Sequence, residues 1–279
     1  MAQSQSIRLL TFNIAHGRGL SPYQGLRSFA QLQQNLIRIA RFLDRQHIDI
    51  AALQEVDEDS HWNRRINMLE TLRDQTALNH AVMGLTNQRP GPRPLNYGNG
   101  LLSRYPVRNW NSQRFHACSL GGKGFLFAEV ETGALSLGVV NLHLDFRSRK
   151  RRILQVDQLI EFLEQVSNEQ AGPGIPPLIC GDFNAGVRRS SDALRKLFDY
   201  LTQNANYQLL PVNQRTFPSP LPSRGIDFVL LPPTCHVIRC DVASVYLSDH
   251  RPVLVEFRVP VTSAANPPDP RACAAPNGP

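Results

Sequence analysis

The stretch Ile179-Cys180-Gly181-Asp182-Phe183-Asn184-Ala185 decides how this chain is read. An apolar run meets a glycine, a carboxylate and a carboxamide with no polar strand face between them. That is the pattern of a buried strand opening into a loop. Loops at sheet ends are where chains place chemistry. Asp182 can accept a proton or bind a hard cation, and Asn184 offers an amide donor close behind it. Taken alone, the stretch reads as an Asx turn after a strand.

The same grammar recurs on both sides of it. Residues 7–13 form a strand-like run ending on Asn13, and residues 48–53 deliver Gln54-Glu55. In residues 135–144, alternation puts Asn141 and His143 on one face, with Asp145 continuing it. Residues 225–231 carry Asp227 near their start. Leu247-Ser248-Asp249-His250 is a loop before the closing strand, residues 253–259, and its Asp-His neighbours can form an orienting pair. Further strands are predicted over 97–107, 125–130 and 235–246. Helical spacing predicts helices over 26–46, 62–76, from the 147–152 cluster to residue 164, and 190–202. Proline makes 87–96 an exposed loop and 207–224 irregular.

One acid at a strand end is usually a cap or half of a salt bridge, and one histidine a structural one. Acids, amides and imidazoles at several separate strand ends point instead to one cleft with hard oxygen ligands, suited to Mg²⁺ or Mn²⁺. Cysteine takes no part, which disfavours zinc. No glycine-rich phosphate loop and no serine in a nucleophile-elbow context occurs, so the NTPase and serine-hydrolase readings fall away.

Composition is that of a soluble globular protein: 279 residues, 42% hydrophobic and 19% charged. The formal charge of +7 favours anionic partners, and Arg147, Arg149, Lys150, Arg151 and Arg152 concentrate that charge at a helix start. The five cysteines are odd in number and lack metal-ligand spacing. They fit free thiols in a reducing compartment, so a cytoplasmic location is expected. No secretory signal and no transmembrane segment is expected. Residues 261–279, rich in Pro and Ala, read as a disordered tail after a domain spanning 1–260.

Thr11-Phe12-Asn13, Leu53-Gln54-Glu55, Gly98-Asn99-Gly100-Leu101-Leu102-Ser103, Asn141-Leu142-His143, Gly181-Asp182-Phe183-Asn184, Ile226-Asp227-Phe228 and Ser248-Asp249-His250 follow one another in order. The ordered set resembles the motifs of the endonuclease/exonuclease/phosphatase superfamily, over roughly residues 7–258. The resemblance implies an α/β fold, a four-layer α-β-β-α sandwich of two mixed sheets packed face to face, and divalent-metal-dependent hydrolysis of a phosphoester. It implies Glu55 as principal metal ligand, with Asn13 and Asp249 close to the ion. Asp182 resembles the residue that orients or deprotonates the attacking water. Asn184 and His143 resemble the donors to the phosphorane-like state. His250 resembles the imidazole held against the scissile phosphate, its orientation set by Asp227 or Asp249. Asn99 and Arg147 are the substrate-contact candidates.

The branch is harder to read. DNA-repair members resemble one another in a tryptophan-bearing loop before Ile-Asp, whereas this chain has Thr216-Phe217-Pro218 there. That stretch is similar to the bacterial metal-dependent hydrolase and sphingomyelinase-like branch, as is Gly121-Gly122-Lys123-Gly124, which also fits a plain β-turn. An Arg usually stands directly before Ile-Asp, but here Gly225 separates Arg224 from it. The expectation is therefore a monomeric hydrolase acting on a small or lipid-derived phosphoester. A nuclease is the second reading, and a catalytically silent binding module the third.

Overall fold

The computed structural model describes residues 4–118, 121–133, 135–169, 175–186 and 193–260. In chain order the elements are β1 (Ser4–Asn13), α1 (Phe29–Arg45), β2 (Ile50–Ser60), α2 (Met68–Asp74), β3 (His80–Asn87), β4 (Leu95–Ser103), β5 (Val107–Arg114), β6 (Gly124–Glu131) and β7 (Ser136–His143). There follow α3 (Arg149–Glu169), β8 (Leu178–Asp182), α4 (Ala193–Asn204), β9 (Gln208–Leu210), β10 (Asp227–Leu231), β11 (His236–Val242) and β12 (Val253–Pro260). One six-stranded sheet has the order β11-β12-β1-β2-β4-β3 and the other β5-β6-β7-β8-β10-β9. Each sheet contains one parallel pair, β1 with β2 and β7 with β8, among antiparallel neighbours.

Strand alternation builds the layers. Ile7, Leu9, Ile50 and Ala52 point inward and pack with Leu126, Ala128, Val139, Cys180 and Val229 of the second sheet. The intervening residues Leu10, Phe12, Ala51 and Leu53 point outward and are covered by Leu36, Ile39 and Leu43 of α1 and by Leu69 and Leu72 of α2. On the far side, Phe125, Val140, Leu142, Ile179 and Leu230 pack under Val156, Leu159 and Phe162 of α3 and Leu197 of α4. Each large side chain buried this way contributes about 1.5–3 kcal/mol. The result is the expected four-layer α-β-β-α sandwich with two mixed sheets.

The elements differ from the sequence reading in instructive places. β3, β5 and β9 are additional to the predicted strands, and all three lie at sheet edges, where a strand needs no continuous apolar face. Most of β5 is polar, and it leaves Trp110 half exposed. The helix expected over 62–76 is broken, because Arg64 and Arg65 adopt φ of 63° and 59°. Its helical part is α2, which starts after Asn67, whose Oδ1 accepts the Glu70 N–H at 3.1 Å. The first helix begins at Phe29 behind a Ser28–Gln31 capping box. The start of the helix expected over 190–202 and the tail expected over 261–279 lie outside the described residues. No described helix is long and apolar enough to cross a membrane.

β2 does not stop before Glu55. It continues to Ser60, and its register with β4 shifts between Leu53 and Val56. Glu55 sits in this bulge with φ of 54°. A bulge re-aims side chains that strict alternation would send elsewhere.

Candidate active site

The parallel pairs end side by side. β1 and β2 deliver Asn13 and Glu55, while β7 and β8 deliver His143 and Asp182. Buried amides tie the sheets together just behind these ends. Gln54 Nε2 donates to Asn141 Oδ1 at 2.7 Å, and Asn141 Nδ2 donates to the Leu53 and Gly100 carbonyls, both at 2.9 Å. Asn99 belongs to the same tie. It is buried, and its amide donates to the Gly124 carbonyl at 3.0 Å and the Asn141 carbonyl at 3.1 Å.

Asp182 is the hub. Its Oδ1 accepts the Asn184 backbone N–H at 2.9 Å. Its Oδ2 accepts from Asn13 Nδ2 at 3.1 Å and Asn184 Nδ2 at 3.2 Å, and lies 3.3 Å from His143 Nε2. Asn184 reaches this position in a left-handed conformation, φ 48°, and its amide also holds the Leu144 carbonyl at 3.0 Å. Gly181 just before the hub has φ of 143°, and a Cβ there would lie 1.9 Å from the Leu142 carbonyl oxygen. Only glycine lets β8 approach β7 this closely. Burial alone would raise the Asp182 carboxyl. His250, His143 and Lys123 around it hold it well below the usual carboxylate range, so it is an anion at neutral pH.

His250 comes from the loop before β12. Its Nδ1 is 3.0 and 3.1 Å from the two Asp227 oxygens, and its Nε2 is 3.8 Å from Asp182 Oδ2. The carboxylate that orients it is therefore Asp227, not its neighbour Asp249. Burial disfavours the imidazolium, but Asp227 and Asp182 push its pKa up to about 10. Burial raises Asp227 above the usual carboxylate range. Phe217 packs on the imidazole at a centroid distance of 4.9 Å, and the Arg224 guanidinium lies 5.8 Å from the same Phe217 ring. Gly225 thus leaves Arg224 one aromatic ring away from His250.

Glu55 occupies a more open position. Its oxygens lie 3.5 Å from His16 Nε2, 3.5 Å from Lys123 Nζ and 3.9 Å from His143 Nε2. Burial would raise the Glu55 carboxyl, yet His16, Lys123 and His143 hold it well below the usual range. Lys123 Nζ is 2.7 Å from His143 Nε2, and burial together with this ammonium pushes the His143 pKa down.

Asp249, expected close to the ion, is already paired. Its Oδ2 takes a charge-assisted bond from Arg18 Nη2 at 2.5 Å. Its loop is fixed by Ser248, whose hydroxyl donates to the Asn13 carbonyl at 2.7 Å. The described acidic and imidazole groups close enough to share one ion are Asp182, Asp227 and His250, with ligand atoms within 4.8 Å of one another. Arg147 is exposed beside Phe146, its guanidinium 5.0 Å from that ring.

Three neighbours of the site escaped the sequence reading, and a fourth was read two ways. Lys123, whose stretch resembles an element of the bacterial branch but also fits a plain turn, is buried with its ammonium between Glu55 and His143. His16 bonds Asp57 through Nδ1 at 3.0 Å and packs edge-on against Trp62 and Tyr97. Trp62 Nε1 donates to Asp57 at 3.0 Å. Arg18 clamps Asp249. Their signal was proximity: His16 and Arg18 follow Asn13, and Asp57 follows Glu55. Spacing alone does not show that the chain folds back there.

A hard divalent cation fits the donor set. The Glu55 carboxylate is anionic and part exposed, the nearest nitrogens, of His16 and Lys123, stand 3.5 Å off, and the neighbouring donors are oxygen and imidazole with no sulfur. The four described cysteines are free, and Cys180 and Cys235 are buried.

The family model for the Endonuclease/Exonuclease/phosphatase family matches residues 10–250. No curated protein matches the chain in sequence. Among solved structures, an endonuclease/exonuclease/phosphatase family protein from Bacteroides thetaiotaomicron superposes with a TM-score of 0.67 at 16% identity, covering 92% of this chain and 99% of that one. A mannosyl-6-phosphatase from the same species gives 0.67 at 15% identity, covering 90% and 99%. Sphingomyelinase C from Streptomyces griseocarneus gives 0.62 at 19% identity, covering 90% and 99%.

Proposed function

The chain belongs to the endonuclease/exonuclease/phosphatase family, and on that footing we propose that it is a divalent-cation-dependent phosphoester hydrolase. The observation that carries the reading is the convergence of Asn13, Glu55, His143, Asp182, Asn184, Asp227 and His250 at the ends of two parallel strand pairs. We assign the cation, Mg²⁺ or Mn²⁺, to Glu55 and Asn13. Asp227 and His250 already satisfy each other, and an ion there would break their bond. When bound, the cation supplies Lewis-acid polarisation of the phosphoryl oxygen.

The chain's own groups supply the rest. Asp182, anionic and aimed by Asn184 and Asn13, orients a water and takes its proton as the water oxygen bonds to phosphorus and the P–O bond to the alcohol breaks, the departing oxygen taking a proton from solvent. Its depressed pKa makes it a weak base but a firm positioning group. His250, held by Asp227 and charged at neutral pH, offers Nε2–H to the developing negative charge. The ammonium of Lys123 adds further positive potential where the substrate is anionic, while the amide of Asn184 holds Asp182 in place.

For substrate we favour a small or lipid-derived phosphoester over nucleic acid, on the tryptophan-free 216–218 stretch and the resemblance to the bacterial hydrolase branch. A cytoplasmic monomer with its catalytic domain over residues 1–260 completes the proposal. The test is a parallel assay with Mg²⁺ on bis(p-nitrophenyl) phosphate, p-nitrophenyl phosphate, sphingomyelin vesicles, abasic duplex and supercoiled plasmid. Turnover of the small or lipid esters alone is expected. Plasmid nicking as the dominant activity would overturn the substrate choice, and inactivity on every ester would overturn the enzyme reading.

A further inference from the structure

A cavity of about 510 Å³ opens directly beside the proposed reacting centre. Asn184, whose amide touches Asp182, forms one wall, and Arg147, Arg152, Arg215 and Arg224 line the rest together with apolar groups such as Phe146. Among the described residues, no carboxylate lines it. Arg152 is buried in the wall and donates to the Asp145 carbonyl at 3.1 Å. Arg147, Arg215 and Arg224 stand exposed around the opening, and among the described residues none of the three forms an ion pair with a carboxylate. Arg147, Arg215 and Arg224, three like charges around one opening, repel one another, so the arrangement is at its best with an anion inside.

The backbone that carries two of the arginines is held in place. Arg224 exchanges backbone hydrogen bonds with Phe217 at 2.8 and 2.9 Å, and its carbonyl accepts the Thr216 N–H at 2.8 Å. This ladder fixes the backbone at Arg224 and next to Arg215 on the two arms of one turn.

We propose that this cavity is a subsite for a second anionic group, so that the substrate is a compact phosphoester carrying a further phosphate or comparable oxyanion. The inference rests on the phosphoester-hydrolase reading for the neighbouring centre and names the substrate class that centre takes. The volume is that of a small-molecule pocket rather than of a groove that tracks a polymer. Guanidinium is the side chain best matched to a phosphate oxygen pair. The second group comes from a soluble bisphosphate or from a phosphorylated lipid headgroup.

The test is calorimetry on the full chain, with chelator present so that nothing turns over. Fructose 1,6-bisphosphate is compared with fructose 6-phosphate, and phosphatidylcholine vesicles with and without phosphatidylinositol 4-phosphate are run beside them. The bisphosphate is expected to bind about tenfold or more tighter than the monophosphate, the scale of one or two charged hydrogen bonds. That ratio should fall towards one in Arg215→Ala/Arg224→Ala. Arg147→Gln, at an exposed position, should lower it independently. The same arginine-dependent gain seen only with the doped vesicles assigns the second group to a lipid headgroup. Equal affinity in all pairs, or a preference that survives in both variants, overturns the subsite. Binding of a single-stranded oligonucleotide through these arginines without any bisphosphate preference overturns it in favour of a polymer backbone. Because these readings need no catalysis, loss of bis(p-nitrophenyl) phosphate hydrolysis in a separate Mg²⁺ assay would count against the enzyme reading and leave the binding result standing.

Discussion

Replacing Asp182 by asparagine removes one charge and almost no volume, and the hydrogen bonds around it determine how the new side chain sits. The backbone N–H of Asn184 cannot turn away, so the asparagine must keep its oxygen at the Oδ1 position. Its NH₂ then replaces Oδ2, where it faces the amides of Asn13 and Asn184. Asn184 keeps the Leu144 carbonyl as an acceptor, whereas Asn13 cannot flip without losing the Ala15 N–H that its Oδ1 accepts at 3.0 Å. One buried donor is thus stranded, a loss of about 1–3 kcal/mol. For a chain of this size that lowers Tm by roughly 2–10 °C, leaving the variant folded at assay temperature. The catalytic loss should be far larger, about 100- to 10,000-fold in kcat, with little change in KM. Thermal melts with circular dichroism and steady-state kinetics on bis(p-nitrophenyl) phosphate read both quantities. Activity within tenfold of wild type in a folded variant would refute the assignment of Asp182. Acid stability supplies a second readout. The depressed Asp182 pKa stabilises the fold above the unfolded value of 3.8, and that contribution is lost as pH falls towards the folded value. The variant should therefore show a flatter fall of Tm below about pH 4.

Asp227→Asn removes the partner of His250 Nδ1. His250, at about 10 in the folded chain, should titrate at lower pH by NMR, and the alkaline limb of kcat/KM should move down with it. Its elevated pKa stabilises the fold fully below about 6.5, and this contribution fades as pH rises through the folded value, so the variant should lose stability chiefly at neutral pH and below. An unmoved imidazole resonance would contradict the pairing. Gly181→Ala should destabilise the protein by at least about 3 kcal/mol, through positive φ and the contact with the Leu142 carbonyl. A denaturant midpoint close to that of wild type would show that β7 and β8 can separate there.

The legible part of this fold was its interior. Ile179-Cys180 and Ile50-Ala51-Ala52-Leu53 announce buried strands because a strand covered on both faces leaves no choice but apolar residues. Edge strands escape that constraint, which is why the polar residues of β5 carry no readable signal. The candidate site was legible where polar chemistry meets a strand end, as at Asp182, or the loop before one, as at His250. It was illegible where geometry depends on backbone conformation: the bulge that aims Glu55, and the turn that folds His16 back onto Asp57. Lys123 illustrates a further limit. A Gly-Gly-Lys-Gly turn looks solvent-exposed, but those glycines let the backbone pass close to Thr86, where a Cβ on Gly122 would lie 1.8 Å from a carbonyl oxygen. Asn99 erred the other way, since a polar residue in a motif proved to be a buried tie between sheets.

The proposed chemistry depends above all on Glu55 holding a divalent cation for phosphoester hydrolysis. The direct measurement is Mn²⁺ binding by calorimetry, paired with Mn²⁺-dependent hydrolysis of bis(p-nitrophenyl) phosphate, for wild type and Glu55→Gln. The wild type should bind Mn²⁺ saturably, and its activity should disappear with EDTA and return with Mn²⁺ or Mg²⁺. In the variant, affinity should be weakened about tenfold or more, and turnover lowered about 100-fold or more at fixed cation. Equal Mn²⁺ affinity in the two proteins, or hydrolysis that persists in EDTA, would contradict this role for Glu55.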